Sequence, residues 1–216
     1  GGAPAPPDPL TAVRRQLTHG PPSLQGATPL LRRLARVVAG PDIDGERLLA
    51  LLEEEASLGS AVVALGHTAR WAGSGRLRSI REALARVGSS AATSHALATV
   101  ERRAYLGEGA KQPQIITQLW LQDAVAAALA EGIAHRMRMP TAHQVRLATG
   151  IHGLADLSTL RAAKAFPELS TQAHGPELVR LMGTLHDESA GLLCERFSLT
   201  PGLRALVDGT LDPRDG

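Results

Sequence analysis

The stretch Arg78-Ser79-Ile80-Arg81-Glu82-Ala83-Leu84-Ala85-Arg86-Val87-Gly88 reads as one complete short helix. Ser79 and Glu82 stand at capping-box spacing, so the hydroxyl and the carboxylate can satisfy free backbone donors at the helix start, and Gly88 follows the last apolar residue as a stop. Working outward, the same pattern recurs. Asp44 is placed to cap a helix carrying Leu48, Leu49, Leu51 and Leu52. Ser57 is expected to open another, in which Leu58, Ala61, Val62, Leu65 and Ala69 share one face by the i, i+3, i+4, i+7 rule. Upstream, Thr28 as cap and Pro29 at the first helical position predict a helix that Gly40 stops. Downstream, helices are predicted over 90–105, 114–137 and 177–196, with Thr141 capping a broken stretch that runs to Phe166. Thr200-Pro201 begins a last short helix.

Composition agrees with that reading. Of 216 residues 44% are hydrophobic but only 2% aromatic, so the core must be built from Leu, Ala, Val and Ile. Alanine and leucine favour helices, whereas strands are enriched in aromatic and β-branched residues. The expectation is an all-α protein of two packed helical subdomains. Seven of the 14 prolines precede residue 30, so residues 1–27 are expected to be a Pro-rich arm or linker, with a short helix at Leu10 to Leu17. Leu106 to Pro113 is the best internal boundary, which gives helical subdomains over 28–110 and 111–216.

The formal charge of +2 is far below what a phosphate-tracking protein carries, and five scattered aromatics do not make a stacking platform. Nucleic acid is therefore disfavoured as a partner. Ala124 to Ala130, the longest apolar run, is too short to span a bilayer, so no membrane insertion is expected. The single cysteine, Cys194, excludes an internal disulfide and suits a cytoplasmic setting; its apolar neighbours predict an inert packed thiol. No nucleophile elbow and no Gly-rich phosphate loop is present.

The order of these pieces is familiar. Arg78 to Gly88, Glu55-Ala56-Ser57-Leu58, His67-Thr68-Ala69, Leu119-Trp120 with Ala124, His186-Asp187-Glu188 and Phe197-Ser198-Leu199-Thr200-Pro201 follow one another as elements of the HDOD domain family do. The chain resembles that family from about Thr28 to Gly209. The resemblance implies an HD-like helical fold in the C-terminal half and a bacterial signalling role, since these relatives of HD phosphohydrolases are generally regarded as non-enzymatic.

It also marks a dead centre. His152 is followed by Gly153 where an HD enzyme has an aspartate, and an HD site needs adjacent imidazole and carboxylate on one cation. His152, Gly153, His186 and Asp187 are thus the expected remnant of an ancestral metal site, with Asp156 nearby, and no cofactor is expected. As neighbours on a helix, His186 and Asp187 point about 100° apart and need not converge.

The best candidate for binding is the arginine-rich turn, Arg70, Trp71, Arg76, Arg78 and Arg81, with Arg86 beyond it, in which Glu82 is the single acid. Concentrated positive charge of this kind steers an acidic protein partner. The function that follows is a non-catalytic signalling or scaffold module; the alternatives are a divergent HD-type phosphohydrolase and a nucleic-acid-binding helical domain. Binding of a second-messenger nucleotide is left open by the sequence.

Overall fold

The computed structural model describes residues 8–19, 24, 26–68, 70–71, 75–107, 114–139, 142–166 and 175–210. Among these the chain is all-α: α1 Pro9–His19, α2 Ala27–Val37, α3 Gly45–Glu54, α4 Ala56–Gly66, α5 Ile80–Val87, α6 Ser89–Leu106, α7 Gln114–Arg136, α8 Ala142–Ala163, α9 Gly175–Phe197 and α10 Pro201–Val207. No helix among the described residues is long and apolar enough to cross a membrane.

Side-chain caps fix several starts. Asp44 accepts from the Arg47 N–H, Ser79 from that of Glu82 and Thr200 from that of Leu203. The expected box at Ser79 forms with one displacement, because the Glu82 carboxylate accepts from the Arg78 N–H at 2.7 Å instead of from Ser79 itself. Two expected starts are corrected. The helix assigned to Thr28 begins at Ala27, after Gly26 in a left-handed conformation (φ 73°), and it ends at Val37 before Gly40. The helix assigned to Ser57 begins at Ala56 against the end of α3.

The larger correction concerns the stretch expected to be broken before Phe166. Residues 142–163 form one unbroken helix of 22 residues, buried along most of its length. α8 is the axis of the molecule, packed by α1, α6, α7, α9 and α10. Gly150 and Gly153 do not break it. They remove side chains where neighbours come close: a Cβ on Gly150 would stand 2.5 Å from Glu101 Oε1, and one on Gly153 would stand 2.5 Å from the Asp123 carboxylate and 2.7 Å from the Tyr105 hydroxyl.

One apolar core runs through both halves of the chain, joining Leu34, Leu52, Leu97, Leu154, Leu193 and Phe197, all buried. Within the stretch expected as an arm, α1 is docked against α8 and α9, where Val13 and Leu17 bury against Ala162, Leu181 and Leu185. That part is not a free linker. The cap expected at Thr141 lies outside the described residues. Cys194 is buried as an unpaired thiol, and burial pushes its pKa up to about 11, which suits the packed role read from its neighbours.

Candidate functional site

The histidine expected to remain from a metal site lies near the middle of α8, facing α9 and α10. His152 Nε2 is 2.9 Å from the Val207 carbonyl oxygen, and His152 Nδ1 faces His186 Nε2 at 2.9 Å. His186 Nδ1 is 2.8 Å from Asp156 Oδ1, one turn along α8 from His152. The two imidazoles lie nearly parallel, 7° between their planes. A carbonyl oxygen only accepts, so His152 donates through Nε2 to Val207.

The structure therefore brings His152 and His186 together. Asp187 is not brought in: it is exposed, and Asp156 is the carboxylate that joins the pair. The place of the missing aspartate side chain is filled from another helix. Asp123 of α7 abuts Gly153 and accepts from the Tyr105 hydroxyl at 2.5 Å. Burial raises the Asp123 carboxyl against the pull of that hydrogen bond, and neighbouring Asp156 raises it further while His186 opposes.

These residues do not fit the metal that the HD lineage implies. All four ring nitrogens of His152 and His186 are engaged, each by the other ring, a carbonyl or Asp156. The ligand atoms of His152, His186, Asp156 and Asp123 also fail to converge: among the described residues, the group of three His, Cys, Asp or Glu whose ligand atoms all lie within 4.8 Å of one another is Glu131, His135 and His143. No catalytic step is derived through a metal at His152.

The arginine-rich turn is at the surface. Arg70, Arg76, Arg78 and Arg81 are exposed, and Trp71 is half-buried, packed on the main core with the Arg70 guanidinium 5.2 Å from its ring centre. Arg81 reaches Glu46 at 4.0 Å, the outer limit of an ion pair; among the described residues Arg76 and Arg78 make none. Arg86 is partly buried and donates to the Gly75 carbonyl.

Part of this corner lines a groove of about 680 Å³, whose lining includes Arg70, Trp71, His95, Ala128, Gly132 and His135. Its far wall is α7, and α7 carries what the sequence reading missed. Leu121, Val125, Leu129 and Ile133 succeed one another at four-residue spacing and are all about half exposed or more, with Met137 just past the helix end. The signal was in the sequence as an i, i+4 apolar row. Nothing local says which face of a helix its neighbours cover.

A second missed feature is a buried polar network between α6, α7 and α8. Arg146 donates to Glu101 at 3.0 Å and to Glu131 at 3.4 Å, and Glu131 also meets His143 Nδ1 at 2.7 Å and the Ser94 hydroxyl at 2.6 Å. Burial pushes Glu101 up to about 7 in spite of Arg146. Glu131 goes the other way: burial would raise it, but His143, Ser94 and Arg146 together hold it below the usual range.

Among the described residues the protein is all-α, with His152 and His186 closed on each other, Val207 and Asp156. The HDOD domain matches residues 24–209, and the chain belongs to that family. In fold it is similar to a crystal structure from Shewanella amazonensis SB2B named "Putative metal-dependent phosphohydrolase", with a TM-score of 0.59 at 17% identity over 92% of this chain and 72% of the other. At that identity the likeness concerns the fold alone. No curated protein matches the chain.

Proposed function

We propose that the chain is a non-catalytic scaffold of a cytoplasmic signalling pathway, built of helical halves over 28–110 and 111–216, which binds an acidic protein partner. The observation that carries this reading is the surface around the 680 Å³ groove, where exposed Arg70 and half-buried Trp71 face a helix whose outer side is the apolar row Leu121, Val125, Leu129 and Ile133. Exposed apolar patches rimmed by charge are how soluble proteins meet other proteins. Positive charge at Arg70, Arg76, Arg78 and Arg81 selects a partner that presents carboxylates, and arginine suits that role through its forked donors. The engaged nitrogens of His152 and His186, and the filled space at Gly153, support the non-catalytic half of the reading.

The test is kinetic. A partner captured from native lysate is measured against the wild type, an Arg76→Glu/Arg78→Glu variant and a Leu129→Glu/Ile133→Glu variant at two ionic strengths. The arginine reversal is expected to slow association and to blunt its salt dependence, because steering becomes repulsion. The apolar variant is expected to speed dissociation. Both should unfold within roughly 0.5 kcal/mol of wild type, as exposed substitutions do. Unchanged binding in both folded variants contradicts the docking reading, and steep salt-dependent retention of DNA would favour a nucleic-acid partner instead.

A further inference from the structure

The cluster formed by Glu131, His135 and His143 lies apart from the ancestral position. Glu131 and His135 are four residues apart near the end of α7, hence on one side of that helix. His143 is in the first turn of α8 and comes back toward them. The Glu131 carboxylate and His143 Nδ1 are 2.7 Å apart, the His135 and His143 rings meet edge to face with centres 5.2 Å apart, and one ligand atom from each residue falls within 4.8 Å of the others. Glu131 and His143 are buried whereas His135 is exposed, and Glu131 and His135 both line the groove.

We propose that these three residues are a divalent transition-metal site, of a kind that takes Zn²⁺, with one coordination position open to the groove. Two imidazole nitrogens and one carboxylate oxygen are a tetrahedral Zn²⁺ ligand set short of one member, and the fourth position of such a set is filled by water or by a group from outside. Mg²⁺ and Ca²⁺ want oxygen ligands and are disfavoured by two imidazoles. Arg146 is shared between Glu101 and Glu131, and it contacts Glu131 through Oε2, leaving Oε1 turned to Ser94 and His143. The cation takes the place of the hydrogen bond between Glu131 Oε1 and His143 Nδ1, and a neutral His143 then carries its proton on Nε2. This departs from the absence of a cofactor expected from the sequence, and it is independent of the docking reading because the metal alone is its probe.

The experiment is calorimetric titration of chelator-treated full chain with Zn²⁺, for the wild type and for His135→Ala and His152→Ala variants, followed by thermal unfolding with and without the metal. Wild type is expected to bind one Zn²⁺ per chain and to melt higher with it. Since His135 is exposed, His135→Ala should melt like wild type without metal, yet bind Zn²⁺ at least tenfold more weakly and lose the thermal gain. His152→Ala should bind like wild type. No saturable binding by the wild type overturns the proposal, as does wild-type affinity in His135→Ala. Binding lost in His152→Ala and kept in His135→Ala would place the metal in the other cluster and equally overturn it.

Discussion

Gly153 is the residue on which two opposed effects can be weighed. In an open helix interior, glycine to alanine stabilises by about 0.5–1 kcal/mol, because glycine gives up more backbone freedom on folding. At Gly153 the new Cβ would press on Asp123 and on the Tyr105 hydroxyl, and overpacking of that kind costs about 1–3 kcal/mol. Overpacking wins, so Gly153→Ala is expected to lower the urea midpoint, while Gly183→Ala on α9, where nothing lies within 4 Å of the added Cβ, is expected to raise it. The aspartate of an HD pair at 153 is larger still and meets a carboxylate already in place. Glu101 supplies a pH signature at the same scale. Its carboxyl is raised to about 7 in the fold, so its contribution to stability is fully present below the unfolded value of 4.5 and is lost as pH rises through about 7. Glu101→Gln cannot titrate there; wild type should therefore lose stability relative to Glu101→Gln between about pH 4.5 and 7, as read from denaturant midpoints across that window. A constant difference would mean that Arg146 keeps Glu101 ionised.

Among the elements, α5 is held by a cap whose worth can be measured. Ser79→Ala removes the acceptor for the Glu82 N–H and is expected to cost about 1 kcal/mol; an unmoved unfolding midpoint would show that the cap contributes nothing. The elements were legible wherever the signal is local. Caps at Asp44, Ser79 and Thr200 sit where residue chemistry places them, and α6, α7 and α9 follow from apolar spacing to within two residues at either end. Sequence reading failed where the cause is tertiary. Gly150 and Gly153 look like breakers in isolation, but in α8 they are points of close approach for Glu101, Tyr105 and Asp123, which belong to two other helices. Thr28 looked like a cap for its hydroxyl, whereas Gly26 in its left-handed conformation turns the chain one residue earlier.

At the scale of the whole molecule, α8 gathers two polar clusters along one buried helix: His152 with Asp156 toward α9 and α10, and His143 with Arg146 toward α6 and α7. His152 and His186 were legible because the resemblance fixes their positions along the chain. Asp123, Tyr105 and Glu131 were not, since their convergence depends on how α6 and α7 cross α8, and no spacing within one segment encodes that. The central proposal is that this HDOD chain is non-catalytic, with His152 and His186 engaging each other, Val207 and Asp156. It is tested most directly by assaying purified wild type and His152→Ala for phosphomonoester and phosphodiester hydrolysis with Mn²⁺ or Mg²⁺ added. The account predicts no turnover above the uncatalysed background for either protein, and turnover by the wild type that disappears in His152→Ala would contradict it.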